Sequence, residues 1–178
     1  MGTFWNQAAA DPKRKFRWTI TFTGDNGESL QIAVKTVDKP KFEISNTPHK
    51  FINHTFYFPG RLEWKPINLT FVDLASSDGG AGEDVSKILD SLIRESYKLP
   101  EGAGVEACTA GITKLASVNA LGSSFIIQQL DGEGEAIEKW ELRNSWISAI
   151  EYGSLDYASE DLVDMSVTVI YDYAVRTL

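Results

Sequence analysis

Histidines, nucleophiles, paired carboxylates and glycine-rich turns are the residues from which a short chain could build chemistry. His49 and His54 are the two histidines of the chain, five apart in a proline-flanked stretch with no cysteine nearby. A zinc site takes four ligands from His, Cys or carboxylate, so this pair is too few and too loosely placed to predict a metal. A Ser–His–acid triad is a spatial constellation that sequence order alone does not test, but the nucleophile-elbow pattern G-x-S-x-G does not occur. Gly79-Gly80-Ala81-Gly82 precedes a helical pattern, as phosphate cradles do. It lacks the Gly-Lys-Ser/Thr ending of a P-loop, and Glu83 and Asp84 at the helix start would repel phosphate. Acidic pairs are plentiful (Glu160-Asp161; Asp131 with Glu133, Glu135 and Glu138) and none stands apart as an acid–base couple. These observations predict no catalytic, cofactor or metal residue and no small-molecule substrate.

The composition suits a folded globular protein. The chain has 178 residues, 43% hydrophobic and 11% aromatic, enough for one domain with its own core. A single cysteine, Cys108, rules out an intrachain disulfide and reads as a small packing residue. The first eighteen residues lack the apolar run of a signal peptide, and no stretch approaches the roughly 20 apolar residues of a membrane span, so synthesis and retention in a cytosol are expected. The formal net charge of −8 opposes binding to phosphate backbones, although an acidic protein can line a path that DNA must not adhere to. Lys13-Arg14-Lys15-Phe16-Arg17 is a local basic exception, read as a solvated arm or a partner for acidic surface on a neighbouring copy.

Hydropathy patterning predicts a mainly β protein. Phe16, Trp18, Ile20 and Phe22 alternate with polar residues, and after the turn at 24–27 so do Leu30, Ile32 and Val34, which predicts a β-hairpin. From 38 to 60 three prolines interrupt a stretch rich in large apolar residues, which predicts an extended loop that either folds back on the core or meets another subunit. A strand is expected over 61–73. A glycine-rich break follows at 76–82, and then the one helix, over 83–99, with Val85, Ile88, Leu89, Leu92 and Ile93 on one face. Residues 101–123 read as loop with a short strand near 112–118. A hairpin over 125–142 turns at Asp131-Gly132-Glu133-Gly134, and a strand follows at 146–151. A last strand spans 163–174, with Met165, Val167, Val169, Tyr171 and Tyr173 on one face and Ser166, Thr168 and Asp172 on the other. The expected fold is a single-domain antiparallel β-sandwich or barrel with one flanking helix and an N-terminal arm over 1–15.

The order of motifs in the last third is distinctive: Trp140-Glu-Leu142, Asn144-Ser-Trp146, Gly153-Ser-Leu155-Asp156-Tyr157 and Val167-Thr-Val169-Ile-Tyr171-Asp172-Tyr173. Together with the early strands, the long loop and the mid-chain helix, this order resembles the tail tube proteins of contractile-tailed bacteriophages over roughly 16–174. The resemblance implies a structural virion protein and no enzyme. Its hexameric rings would stack into a hollow tube inside a contractile sheath, with baseplate and tail terminator proteins as further partners. The genome would pass through without adhering, and synthesis would take place in the host cytoplasm. It also implies a ring-stacking interface in the long loop, for which Pro48, His49, Phe51, Ile52, Asn53 and Phe56 are the candidates. Glu133, Glu135, Ser166, Thr168 and Asp172 are candidates to face the lumen. Two other readings use the same residues: the tube of a phage-derived particle that injects toxin, and a monomeric β-barrel that binds a small apolar ligand.

Overall fold

The computed structural model describes residues 12–24, 27–75, 84–98, 111–122 and 124–178. Cys108, the glycine-rich break at 76–82, Glu83, Asp25 and Asn26 of the early turn, Leu99 and residues 1–11 of the N-terminal arm lie outside them. Ten strands and three helices occur among the described residues: β1 (Trp18–Phe22), α1 (Gly27–Ala33), β2 (Val34–Val37), β3 (Lys41–Phe51), β4 (His54–Lys65), β5 (Ile67–Val72), α2 (Val85–Ser96), α3 (Lys114–Leu121), β6 (Ser124–Leu130), β7 (Ala136–Arg143), β8 (Trp146–Glu151), β9 (Asp164–Ile170) and β10 (Tyr173–Arg176). No described helix is long and apolar enough to cross a membrane.

The strands form two four-stranded antiparallel sheets and one separate ribbon. The first sheet runs β1-β6-β7-β10, the second β2-β5-β9-β8, and among the described residues β3 and β4 pair only with each other. Alternation sets the core between the two sheets. Ile20 and Phe22 of β1, Phe125 and Ile127 of β6 and Leu142 of β7 face Ile67, Leu69 and Phe71 of β5 and Met165, Val167 and Val169 of β9. Phe22 is the hinge of this packing. Its ring lies 5.0 Å from Phe125 in its own sheet and 6.3 Å from Phe71 in the other. Side chains fill the space between the sheets and both sheets keep free edges, so the fold is an open sandwich and not a closed barrel.

Helix α2 adds Val85, Ile88, Leu89 and Leu92 to the same core. Asp84 caps it by accepting from the Lys87 N–H at 3.2 Å, so the described helix starts two residues later than the pattern suggests and ends at Ser96.

Four local expectations are corrected. The stretch 30–34 is not the second strand of a hairpin. Leu30 and Ala33 of α1 face the core, Ile32 is exposed, Val34 already belongs to β2, and β1 pairs with β6. Residues 112–118 do not form a strand. Thr113 caps helix α3 by accepting from the Ala116 N–H, and Gly122 ends it at φ 83°. Two additional helices therefore join the one expected. The strand expected over 61–73 is split at Pro66 between β4 and β5. The last strand also breaks. Asp172 donates its N–H to the Arg143 carbonyl, and its carboxylate takes Lys114 (2.6 Å) and Asn144 (2.8 Å). There the chain leaves the second sheet and joins the first as β10, so Tyr171 is buried and Tyr173 is half exposed.

One polar cluster ties the start of the described chain to the sandwich. Glu138 on β7 is buried, and it accepts from Lys13, from Lys39 (2.8 Å) and from the Trp140 indole (2.6 Å). Lys39 also donates to Gln129, whose amide donates to the Arg14 carbonyl. Burial pushes the Glu138 carboxyl up. The Lys13, Lys39 and Trp140 hydrogen bonds outweigh it and hold the pKa down, from 4.5 to about 2. A carboxyl depressed in the folded state stabilises the fold above its unfolded value and loses that contribution as pH falls through the window from 4.5 to about 2. Glu138→Gln is expected to cost on the order of 2 kcal/mol at neutral pH and to flatten the acid loss of stability in that window. Denaturant melts at a series of pH values check this, and equal pH slopes for the two proteins would contradict it.

Candidate functional site

The stretch 38–60, expected to be a loop, is mostly a β-ribbon. Strands β3 and β4 pair from Lys41↔Lys65 to Phe51↔His54. At about 3.3 Å per residue the 11 residues of β3 reach about 36 Å. Pro48 and Pro59 misled the loop assignment because proline is excluded from central strands. A two-stranded ribbon has a free side on each strand and tolerates it.

Register sets what each face carries. Near the root, Phe42 lies opposite Trp64 and Ile44 opposite Leu62, while Glu43, Glu63 and Lys65 form a salt-bridged polar face. Beyond the root, Thr47↔Phe58, His49↔Phe56 and Phe51↔His54 share one face, and Pro48↔Tyr57 and Lys50↔Thr55 share the other. The change occurs at a bulge between Ile44 and Asn46. There the Ser45 hydroxyl accepts from the Arg61 N–H at 2.9 Å. A Cβ on Gly60 would lie 2.3 Å from that hydroxyl and 3.0 Å from the Ser45 carbonyl oxygen, so the bulge requires glycine.

The root is anchored and the rest is not. Trp64 packs on Phe42 (ring centroids 5.4 Å apart) and on Tyr171 of the sandwich (5.9 Å), and the Tyr171 hydroxyl donates to the Lys41 carbonyl at 3.5 Å. Burial pushes the Tyr171 phenol up. Every residue of β3 is exposed, and so are Phe56, Tyr57, Phe58 and Leu62 of β4. At the tip Ile52 is 85% exposed and holds φ 52°, a left-handed conformation that costs a β-branched residue about 1–3 kcal/mol.

The six stacking candidates are thus brought together on this arm: Pro48, His49 and Phe51 on β3, Ile52 and Asn53 in the turn, and Phe56 on β4. His54 stacks edge-on against Phe56, at 4.6 Å. No group of three or more His, Cys, Asp or Glu among the described residues could hold a metal ion.

The lumen candidates are not brought together. Ser166 and Thr168 lie on the outer face of the second sheet, where Thr168 donates to Asn68 at 3.0 Å. Asp172 sits at the switch between sheets. Glu133 and Glu135 lie in the β6–β7 turn, their N–H groups donating to the Asp131 carboxylate. These bonds hold the Asp131 carboxyl below its ordinary range, as the Lys114 and Asn144 bonds do for Asp172. Sequence reasoning missed the ribbon itself, whose signal was period-two alternation through Phe42, Ile44, Phe56 and Phe58.

The sequence matches no known family model and no curated protein. Solved structures do match, over nearly the whole chain. A chain of the cryo-EM structure of the anti-feeding prophage cap (AFP tube terminating cap) superposes at TM-score 0.63 and 13% identity, covering 96% of this chain and 94% of that one. A chain of the PVC sheath-tube complex in the extended state, from an extracellular contractile injection system, gives 0.61 and 15%, covering 99% of each. The SPP1 tail tube gives 0.52 and 13%, covering 93% of this chain and 78% of that one. The fold is that of the tail tube and tube-terminating proteins of contractile injection systems.

The bulge predicts a separable lesion. Gly60→Ala should loosen the arm and leave the sandwich intact. Limited proteolysis should cleave within 44–62 about tenfold faster, while the melting temperature of the body shifts by only a few degrees, roughly the effect of a surface change. Unchanged cleavage would contradict the close approach of Ser45 and Gly60.

Proposed function

We propose that this chain is a tube subunit of a contractile tail or of a phage-like injection particle, and that its hexameric rings stack into a hollow conduit. The observation that carries this reading is the arm. An eleven-residue strand exposed along its whole length, on a sandwich with the tube fold, is the surface that a stacked neighbour would cover. Burying Phe51, Phe56, Tyr57 and Phe58 would remove on the order of 400 Å² of apolar surface from water. At ~25 cal/mol per Å² that is about 10 kcal/mol before ordering and association costs. The role is structural, and the partners are other copies of the chain, a sheath, a baseplate and a terminator.

The outer face of the second sheet is the surface we assign to the lumen. It presents the small polar residues Thr36, Asn68, Thr70, Ser166 and Thr168, and Lys35 at its margin is paired with Asp164 at 2.5 Å. Such a face offers no unpaired cation to neutralise a phosphate, so a nucleic acid in transit would not adhere. Strands β2 and β8 are the free edges of this sheet, and a ring would satisfy their backbone groups.

A second reading is favoured by the likeness to tube-terminating caps, which matches that to tubes: the chain would close a tube end instead of propagating it. Negative-stain electron microscopy over a concentration series separates the two. Stacked hollow tubes support a tube subunit, rings that do not extend support a terminator, and monomers at every concentration contradict both. Phe51→Asp is expected to block stacking and leave the monomer's circular dichroism and melting temperature unchanged, because Phe51 is 63% exposed. Tubes of normal length from this variant would contradict the stacking role of the arm.

A further inference from the structure

Two surfaces outside the arm are complementary in charge. The first is a cleft of ≈ 910 Å³ between the edge strands β1 and β2. Its lining includes Lys13, Lys15, Lys35 and Lys39, with Phe16 and Trp18 as apolar walls. Lys13 and Lys39 are engaged by Glu138 and Lys35 by Asp164, while Lys15 meets no carboxylate among the described residues. The cleft therefore keeps a cationic surplus on a chain whose net charge is −8, and Phe16 stands 75% exposed at its edge.

The second surface is the loop 152–163 between β8 and β9. No lysine or arginine occurs between Arg143 and Arg176, and the loop itself carries Asp156, Glu160 and Asp161. Leu155, Leu162 and Tyr157 are exposed, Tyr157 fully so at 112%. The loop is held in shape. Gly153 enters it at φ 81°, where a Cβ would lie 2.6 Å from the Asp164 carbonyl oxygen. The Asp156 carboxylate accepts from the Ala158 N–H at 3.0 Å, its carbonyl accepts from the Ser159 N–H, and the Ser159 hydroxyl donates to Asp161. An ordered turn with a bare tyrosine at its tip loses little entropy on docking.

Topology separates the two surfaces. The cleft lies at the β2 edge of the second sheet and the loop leaves from β8, the opposite edge. A contact between different surfaces at opposite edges is heterologous, and repeated rotation closes it into a ring. We infer that the loop 152–163 of one copy docks into the β1–β2 cleft of its neighbour, with Tyr157 against Phe16 and Trp18 and the loop acids facing the lysines. The inference rests on the tube reading above and assigns the lateral contact within a ring.

The test uses the full chain with Tyr157→p-benzoylphenylalanine. Equal parts of nitrogen-15-labelled and unlabelled protein are assembled, irradiated and analysed by peptide mass spectrometry. The expected product joins position 157 of one isotopic form to residues 13–18 or 35–39 of the other. Tyr157→Ala should also raise the concentration needed for assembly by about tenfold or more, as loss of an aromatic anchor does, with the melting temperature of the unassembled chain unchanged. Assemblies whose cross-links lead elsewhere, or an alanine variant that assembles at the wild-type concentration, would overturn the docking and leave the tube reading standing. Failure of the unmodified chain to form any ring or tube would overturn both.

Discussion

A two-stranded ribbon has no second layer of its own to pack against, and that constraint governs the whole molecule. Such a ribbon is at best marginally stable in water. Here it carries Phe42, Ile44, Phe51, Phe56, Tyr57 and Phe58 exposed along its length. The chain secures it at one end through Trp64 against Tyr171, and the remainder stands exposed on the single subunit. The strained φ of Ile52 at the tip points the same way. Glycine or asparagine would hold that turn more cheaply, so the apolar side chain there is retained at a cost to the isolated subunit.

The sandwich positions this ribbon and limits what else the fold can do. Tyr171 belongs to both the core and the ribbon root, and it directly precedes the point where Asp172 carries the chain from one sheet to the other. On the other flank, Glu138 fastens Lys13 and Lys39, so the segment leading into β1 and the segment leading into β3 share one buried carboxylate. The ribbon therefore leaves the body from a braced root, as a projecting element must if it is to present the same surface in every copy. Among the described residues, β2 and β8 are the edges of the second sheet.

Much of this was legible in the sequence where local and tertiary preferences agree. The alternation in 125–130 and 136–142 around Asp131-Gly132-Glu133-Gly134, the helical face Val85–Leu92, and Met165, Val167 and Val169 on one side of β9 all appear as read. The failures have physical causes. Leu30 and Val34 satisfy a period of two and a period of four equally, and packing of Leu30 and Ala33 on the core decided for the helix. Thr113 and Gly122 gave a start and a stop signal, but the small residues between them concealed α3. The prolines concealed the ribbon because the rule against them applies to strands with two neighbours. The stacking candidates share one arm because they are neighbours in sequence. Glu138 and Lys39 are 99 residues apart, and nothing local couples them.

The ribbon is open to solvent in the single subunit and, in the proposed assembly, is covered by a neighbouring copy. Amide hydrogen exchange over residues 41–65, compared between dilute monomer and sedimented assemblies, tests it most directly. Fast exchange is expected beyond the Trp64 root in the monomer and strong protection across the ribbon on assembly, with the core strands β5, β6 and β9 protected in both states. Equal exchange across the ribbon in monomer and assembly would contradict it.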